Sequence, residues 1–190
     1  LTRNVHQKGY ILKTQANPGY LEIVEGSIFD HELIEKLFSN ADLCVNLVGI
    51  LFEKGKNNFN NIHTEFPKMI SRYASTYKLK KFVHLSALGI ENAKDSIYAQ
   101  SKLKGEKEIL NNFNKTVIAR PSIVYSVDDN FTTQLMTLLG LLPIFPIYYN
   151  GKTKFRPIFC SDLTNSITKI IIDDIKENII EFAGPEEMSF

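Results

Sequence analysis

The amino-acid sequence predicts an α/β fold with a doubly wound parallel sheet. Short apolar runs alternate with longer segments of helical periodicity, which is typical of successive β-α-β units. Leu43–Val48 and Lys81–Leu85 are near-continuous hydrophobic runs, as expected for strands that are buried on both faces of a sheet. No internal repeat and no linker rich in Pro, Gly or Ser divides the chain. Residues 1–190 are therefore interpreted as one domain.

The elements follow one another at regular spacing along the chain. The strands are predicted where β-branched, aromatic and aliphatic residues cluster: Leu21–Glu25, Leu43–Val48, Lys81–Leu85, Thr116–Ala119 and Ile179–Phe182. The helices are predicted where apolar residues recur at intervals of three and four: His31–Phe38, Asn61–Tyr77, Ile97–Phe113 and Ser161–Ile175. Ser161 or Asp162 is expected to cap the last helix, because its side-chain oxygen can accept from a backbone N–H of the first turn.

Composition excludes several classes of protein. The 190 residues are 44% hydrophobic and 23% charged, with a formal net charge of +1, so no sequence-wide positive field favours nucleic acid. Cys44 and Cys160 have neither disulfide-framework nor metal-ligand spacing, which fits a reducing compartment and predicts no metal. The most apolar stretch, Leu135–Tyr149, is 15 residues long and contains two prolines. A spanning helix needs about 20 apolar residues, so no transmembrane segment is predicted there.

One pair of residues suggests proton-transfer chemistry. Tyr98 and Lys102 are four residues apart near the start of a predicted helix and therefore share one face. An adjacent ammonium stabilises a phenolate, so Tyr98 could act as general acid or base while Lys102 also binds a ribose. Ser86, at the end of the preceding strand, could polarise a substrate oxygen.

The bare Tyr-x-x-x-Lys pattern is not specific. It recurs at Tyr77/Lys81 and Tyr148/Lys152, and the Tyr and Lys content alone predicts roughly 0.8 chance matches. Neither of the other two pairs lies on one rigid helix face. The alternative interpretation of Tyr98/Lys102 is an ordinary solvated helix surface.

The order and spacing of several short motifs resemble the atypical short-chain dehydrogenase/reductase superfamily, which includes the NAD-dependent epimerases and dehydratases. The match runs over nearly the whole chain. The residues that carry it are Ser86, Tyr98/Lys102, Gly105-Glu106, Arg120-Pro121-Ser122 and Pro157-Ile158 leading to Asp162.

Within that superfamily, the chain looks most like the NADPH-binding accessory subunits of respiratory complex I and their bacterial relatives. The motifs concerned are Asn46–Gly49, His63–Pro67 and Val83–Gly89. The resemblance implies a single NAD(P)-binding Rossmann-like domain. Its glycine-rich pyrophosphate loop should precede the first residue, since no two of the ten glycines are spaced Gly-x-Gly. We therefore expect a fragment that lacks the first β-α unit and the C-terminal part of the domain.

The resemblance also implies a cofactor site. Arg3 would meet the adenosine 2′-phosphate, which favours NADP(H) over NAD(H), although a surface arginine near a terminus is the equal alternative. Ser27 and Ile28 would lie near adenine, where the family usually has Gly-Asp. The remaining positions would border the nicotinamide and its ribose: Asn46, Val48, Gly49, Lys102, Arg120 and Pro121. For Arg120-Pro121 a purely structural role at the strand end is the preferred alternative.

Two hypotheses about function follow. The first is an NADP(H)-binding module with a structural cofactor, whose partners would be subunits of a respiratory complex or a peripheral membrane surface. The second is an NADP-dependent reductase or epimerase that uses Tyr98, Lys102 and Ser86 on a small carbonyl or sugar-nucleotide substrate. Leu88 counts against the enzyme, because the family's hydroxyl usually stands at that position. The expected location is bacterial cytoplasm, at or near the inner membrane, or the mitochondrial matrix side in a eukaryote.

The histidines are expected to be structural. His63 and His84 have no carboxylate or cysteine at ligand spacing, so a metal site is not predicted. His84 lies within an apolar strand and is interpreted as a core histidine whose hydrogen bonds are satisfied.

Overall fold

The computed structural model describes residues 1–127, 153–173 and 175–189, together with positions 129, 133, 137, 140 and 141. Most of the predicted apolar stretch 135–149 lies outside these residues. The chain divides into two compact units, Leu1–Ala41 and Asp42–Phe190, and each is described by itself. The interpretation of residues 1–190 as one domain stays a prediction.

The first unit contains two helices, α1 (Val5–Lys13) and α2 (His31–Ser39). Helix α2 begins where the Asp30 carboxylate accepts a hydrogen bond from the backbone N–H of Leu33 at 3.0 Å, an N-cap that satisfies one orphan donor. The predicted strand Leu21–Glu25 is wrong, because only Glu25 pairs, in an isolated parallel bridge with Thr2. The carbonyl of Val24 accepts the Thr2 N–H at 2.9 Å as part of this bridge. A strand persists only where neighbours complete its ladder, and the segment makes no further strand pairing among the described residues.

The second unit is built on a four-stranded parallel sheet, which confirms the predicted parallel α/β fold. The strands, in their spatial order, are β1 (Leu43–Asn46), β2 (Lys81–Leu85), β3 (Thr116–Pro121) and β7 (Ile179–Phe182). The register pairs Val45 with Val83, Val83 with Val117, and Ala119 with Ile180. Since all four strands are parallel, their carboxyl ends lie at one edge of the sheet.

Helices cover both faces of this sheet. Helix α5 (Cys160–Ile172) packs its isoleucines on the side chains of Val83, Val117 and Ala119. Side chains alternate along a strand, so those of Phe82, His84 and Ile118 point to the opposite face. There lie a π-helix (Asn60–Glu65), α3 (Phe66–Thr76) and α4 (Ile97–Asn112), of which α4 contacts β3 and α3 contacts β1. The arrangement is doubly wound, as predicted.

Two small sheets complete the described structure. Strand β4 (Val124–Tyr125) pairs in parallel with β6 (Ile158–Phe159), and β5 (Lys154–Phe155) pairs antiparallel with β8 (Met188–Ser189). These short strands follow the carboxyl ends of the main sheet. Among the helices of the described residues, none is long and apolar enough to cross a membrane.

The predicted single helix Asn61–Tyr77 is instead a π-helical turn that continues into α3. At this turn the carbonyl of His63 lies so close to Gly105 of α4 that a Cβ at Gly105 would clash with it. A glycine there lets the two helices approach. Apolar periodicity alone carries no signal for such a local widening of the helix.

Other boundaries differ for identifiable reasons. Strand β1 ends at Asn46 rather than Val48, because the Asn46 side-chain oxygen accepts the Val48 N–H at 3.1 Å and turns the chain. The predicted cap of the last helix is also wrong. Helix α5 begins at Cys160, after Phe159, and no side chain caps it, so Ser161 and Asp162 already lie in its first turn.

Candidate functional site

A cavity of about 880 Å³ opens at the carboxyl ends of β1, β2 and β3. In open parallel α/β sheets ligands bind at this edge, beyond the strand ends. Of the predicted site residues, the cavity brings together six: Val48, Gly49, Ser86, Tyr98, Lys102 and Pro121. The rest of the wall is mainly apolar and includes Leu47, Ile50, Leu51, Leu85, Leu88, Ile123, Val124 and Phe155.

Lys102 is a buried cation that faces this cavity. Its residue is 6% exposed, and its ammonium makes one long hydrogen bond, at 3.3 Å, to the backbone carbonyl of Leu85. The same ammonium lies 5.8 Å from the centre of the Tyr98 ring, within cation–π range. Burial lowers the pKa of Lys102 to about 8, because the interior solvates the charged form poorly, while the charge of Glu106 acts in the opposite direction.

Tyr98 is half-buried in an aromatic cluster. Its ring meets that of His63 edge-on, with 5.3 Å between the ring centres, and that of Phe59 at 5.8 Å. Burial raises the pKa of Tyr98, and Lys102 does not offset this effect. The expectation that Lys102 lowers the pKa of Tyr98 is therefore not met in the chain by itself, where the ammonium lies over the ring, 5.8 Å from its centre.

Ser86 carries a buried hydroxyl that has no hydrogen-bond partner among the described residues. Its backbone N–H donates to the carbonyl of Ala119 at 2.7 Å, which fixes the residue at the end of β2. Buried hydroxyls nearly always find a partner, so an orphan that borders a cavity suggests that a ligand completes it. Leu88, two residues further along, also lines the cavity and offers no hydroxyl.

Asn46 shapes the loop after β1 from inside. Its side-chain amide group donates to Nδ1 of His84 at 2.9 Å, and its oxygen accepts the Val48 N–H. Both ends of the side chain are thus used within the protein, and Asn46 would influence a cofactor through the loop. His84 is the buried, hydrogen-bonded core histidine that the sequence predicts. Burial, assisted by the charge of Lys102, lowers the pKa of His84 to about 3 and keeps it neutral.

Gly49 lies between the loop and the buried polar groups. A Cβ at this position would stand 3.7 Å from Nζ of Lys102 and 3.8 Å from Nε2 of His63. A side chain here would fill the space beside the ammonium. Glycine therefore leaves that space open.

Arg120 is held by carboxylates. Its Nε and one terminal nitrogen donate to the two oxygens of Glu106, at 3.1 and 2.7 Å, in a bidentate pair. The other terminal nitrogen donates to Glu91 at 3.2 Å and lies 3.6 Å from an oxygen of Glu181. These three acids raise the pKa of Arg120, and the hydrogen bonds that it donates to Glu106 contribute most. The geometry supports a structural role for this guanidinium, while the adjacent Pro121 lines the cavity.

The adenine-side candidates lie in the first unit. The bridge between Thr2 and Glu25 places Arg3 and Gly26 just beyond two parallel segments, and the Arg3 side chain is exposed. The exposed Ser27 hydroxyl accepts the N–H of Phe29 at 3.1 Å, and Ile28 is half-buried.

Two further features escaped the sequence analysis. Lys154, Arg156 and Glu187 line the cavity, with Lys154 and Glu187 joined in a salt bridge of 2.7 Å. His63 touches both the loop after β1 and helix α4. His63 belongs to the motif His63–Pro67, but the local sequence does not show any of these contacts, since they form between distant segments. Among the described residues, no group of three His, Cys, Asp or Glu side chains could hold a metal ion.

Comparison with curated proteins finds subunits of mitochondrial complex I. The chain is 25% identical over 175 residues to NADH dehydrogenase (ubiquinone) 1 alpha subcomplex subunit 9 of Mus musculus, covering 92% of this chain and 46% of that protein. The same subunit of Dictyostelium discoideum is 27% identical over 176 residues, covering 92% and 49%. The predicted resemblance is confirmed. The chain spans about half the length of the curated relatives it matches. A scan of protein-family models finds no match.

Solved structures share the fold. A dTDP-4-dehydrorhamnose reductase from Clostridium acetobutylicum superposes with a TM-score of 0.72 at 18% identity, covering 95% of this chain and 72% of that one. UDP-glucuronic acid 4-epimerase from Bacillus cereus, in complex with NAD, superposes with a TM-score of 0.75 at 21% identity, covering 96% of this chain and 67% of that one. The dTDP-4-dehydrorhamnose reductase from Bacillus anthracis, in complex with NADP, superposes with a TM-score of 0.73 at 16% identity, covering 95% of this chain and 72% of that one. The fold of the chain is thus the Rossmann-like fold of these solved structures.

Proposed function

We propose that the chain binds NADP(H) as a structural cofactor, with the nicotinamide and its ribose in the cavity at the ends of β1, β2 and β3. The observation that carries the proposal is the pair of unsatisfied donors there. Lys102 has one long hydrogen bond to a neutral carbonyl, and the Ser86 hydroxyl has no partner among the described residues. Ribose hydroxyls and a carboxamide oxygen are acceptors that would satisfy both the Lys102 ammonium and the Ser86 hydroxyl.

The shape and polarity of the cavity fit the nicotinamide end. The mainly apolar wall suits an aromatic ring, and the backbone at Gly49 leaves room beside the Lys102 ammonium. Binding at Lys102 carries a pH dependence whose direction follows from its charge. The ammonium donates to the ligand, so affinity should fall as pH rises through about 8, where the free chain loses this proton.

The preference for NADP(H) over NAD(H) is the finer part of the proposal. Arg3 supports it, because an exposed guanidinium near the start of the chain can form a bidentate pair with a 2′-phosphate. Structural neighbours bind one or the other dinucleotide. Replacing Arg3 with Gln should therefore weaken NADPH binding by about tenfold and leave NADH binding unchanged.

The relatives support a role in assembly. They are subunits of a respiratory complex, and their names place them in mitochondria. We extend this to the present protein as a peripheral module that docks on a larger complex at a membrane face, on the matrix side in a eukaryote or the cytoplasmic side in a bacterium. The bound dinucleotide would stabilise the module by mass action.

A reductase or epimerase is the second candidate, and the placement of Tyr98 and Lys102 on one helix face beside the cavity favours it. When bound, the cofactor would supply hydride transfer. The Tyr98 hydroxyl would exchange a proton with a substrate hydroxyl or carbonyl, and Ser86 would donate a hydrogen bond to the same oxygen. The raised pKa of Tyr98 and the presence of Leu88 both work against this chemistry.

One titration tests both candidates. NADPH and NADH are added to the full-length protein while the melting temperature is followed, and the complex is then incubated with carbonyl and sugar-nucleotide substrates. We expect the melting temperature to rise with NADPH by the same amount in the wild type and in Tyr98→Phe. We expect no oxidation of the cofactor. Turnover that Tyr98→Phe abolishes would instead establish the enzyme, and the absence of a shift with either nucleotide would overturn both candidates.

A further inference from the structure

His63 connects the two parts of the protein that border the proposed nicotinamide site. It is 2% exposed and lies in the π-helix, where its Nε2 accepts the backbone N–H of Ile50 at 3.1 Å. Its Nδ1 lies 2.9 Å from the hydroxyl oxygen of Ser101 on helix α4. One ring thus reaches the loop after β1 on one side and the helix of Tyr98 and Lys102 on the other.

Donor and acceptor accounting fixes the state of this ring. The Ser101 hydroxyl donates its only proton to the carbonyl of Tyr98 at 2.7 Å, so it accepts from Nδ1 of His63. The Ile50 N–H can only donate, so Nε2 must carry a lone pair. His63 is therefore neutral, with its proton on Nδ1, and both nitrogens are used.

The ring is also held by its faces. It stacks on Phe59, with 5.4 Å between ring centres and 18° between planes, and its contact with Tyr98 is edge-on at 88°. A rotation of the imidazole would break these contacts together with both hydrogen bonds. The orientation of His63 is thus fixed from four directions.

We propose that His63 is a positioning residue, which holds the loop after β1 in the shape that admits the nicotinamide end of the dinucleotide beside Lys102. This inference rests on the proposed function. Its first part, the anchoring of the loop through the Ile50 N–H, concerns the chain without ligand and can be tested separately.

Protonation provides a direct test, because a proton on Nε2 would remove the acceptor of the Ile50 N–H. Burial, most of all, and the charge of Lys102 on α4 lower the pKa of His63 to about 4. The other titratable groups that face it are Tyr98 on α4 and His84 on β2. The pKa of His63 in the folded chain lies below its unfolded value of 6.5. The contribution of this neutral histidine to the stability of the native state is therefore fully present above pH 6.5 and is lost as the pH falls toward 4.

The experiment compares His63→Gln with His63→Leu. Gln places an amide oxygen at a similar reach and cannot be protonated in this range, whereas Leu removes the acceptor. Backbone amide exchange of Ile50 is measured by NMR in the ligand-free protein, as a protection factor at neutral pH and during acidification to about pH 4. NADPH affinity is measured in parallel for each variant.

We expect His63→Leu to lower the protection of Ile50 and the affinity for NADPH by about tenfold each, and His63→Gln to keep both within about threefold. Acidification should reduce Ile50 protection in the wild type and leave it in His63→Gln, while His84, whose pKa is about 3, stays mostly neutral in both. If His63→Leu does not fold, the comparison of the pH profiles of the wild type and His63→Gln still tests whether His63 anchors the loop.

Unchanged protection of Ile50 in a folded His63→Leu, or identical pH profiles for wild type and His63→Gln, would overturn the inference. A different result concerns the proposed function: if the wild type binds no NADPH while the exchange pattern is as expected, the cofactor proposal fails and the loop anchor stands. Normal NADPH affinity in His63→Leu despite a lost anchor would overturn the second part of the inference.

Discussion

Lys102 and Arg120 are two cations buried to a similar extent, and they differ in what surrounds them. The Arg120 residue is 9% exposed and the Lys102 residue 6% exposed. Arg120 makes three hydrogen bonds to the carboxylates of Glu106 and Glu91, with Glu181 also near. Lys102 has a single long hydrogen bond to a neutral carbonyl and forms no salt bridge with any described residue.

The difference separates a structural charge from one that is available to a ligand. A buried cation costs several kcal/mol of desolvation unless partners offset it. The carboxylates offset it for Arg120, and the pKa of Arg120 is raised accordingly. For Lys102 the cost remains, which is why its pKa falls to about 8. A protein that keeps such a charge at the wall of a cavity has a group ready to bind an oxygen-rich ligand.

The largest effect is expected from breaking the satisfied cluster. Arg120→Met leaves the buried carboxylate of Glu106 without its partner, so the free energy of unfolding should fall by about 3–5 kcal/mol. Chemical denaturation measures this change.

The exposed pair Lys80–Asp42 offers the matched control. Its side chains are 79% and 73% exposed, and Lys80→Met should change the free energy of unfolding only slightly, because water screens such a pair. If Arg120→Met were as mild as this control, the cluster would not be the structural element that the geometry indicates.

Helix α4 carries both Lys102 and Glu106, and Gly105 sets its distance from the π-helix. Gly105→Ala places a methyl group against the carbonyl of His63, so we expect a loss of about 1–3 kcal/mol in stability from overpacking. Because the helix must shift, NADPH binding should weaken as well, which a titration checks.

Lys104→Ala, at an exposed position of the same helix, is the control for helix propensity and should leave both properties nearly unchanged. A Gly105→Ala protein with wild-type stability would show that the helix spacing adjusts without cost.

Lys102→Met should change stability in the opposite direction to Arg120→Met. Removing an uncompensated buried charge is expected to raise the free energy of unfolding by about 1–2 kcal/mol at neutral pH, while the affinity for NADPH drops by tenfold or more. The pKa of Lys102 in the folded chain lies below its unfolded value of 10.5, so the wild type gains stability as pH rises from about 8 toward 10.5. This gain should be missing in Lys102→Met.

Denaturation at neutral and at alkaline pH provides the measurement. A variant that is both less stable and unchanged in NADPH affinity would place Lys102 with Arg120, as a structural cation, and would remove the contrast between them.

The smallest effect on stability is expected at Ser86. Its hydroxyl has no hydrogen-bond partner in the described part of the chain, so Ser86→Ala should change the free energy of unfolding by less than about 1 kcal/mol, in either direction. Weaker NADPH binding in the same variant, measured by titration, would show that the hydroxyl meets the ligand. Ser71 is the comparison, since its buried hydroxyl donates to the Lys68 carbonyl at 2.9 Å and its loss should be destabilising.

Much of the fold could be predicted because its signals are local. Lys81–Leu85 and Ile179–Phe182 form the strands that their apolar and β-branched residues predict, and helix α4 begins at Ile97, as predicted. The segment Leu21–Glu25 is likewise rich in aliphatic residues and forms only a single bridge, because pairing depends on a neighbour that composition does not specify. The π-helical turn at His63 has the same kind of cause, a close approach to Gly105 far along the chain.

The sequence by itself determined the parallel α/β class, the resemblance to complex I subunits, and the residue types that could bind a dinucleotide, since periodicity and motif order are written along the chain. Only the tertiary structure decided which hydrogen-bond and charge partners those residues have and how their pKa values shift. It left the hydroxyl of Ser86 and the ammonium of Lys102 short of partners, surrounded Arg120 with carboxylates, raised the pKa of Tyr98, and turned His63 into a link between a loop and a helix. The physical reason is that the solvation, hydrogen bonding and charge environment of a side chain depend on which distant segments contact it. In a buried position each such contact stabilises or destabilises the protein by several kcal/mol.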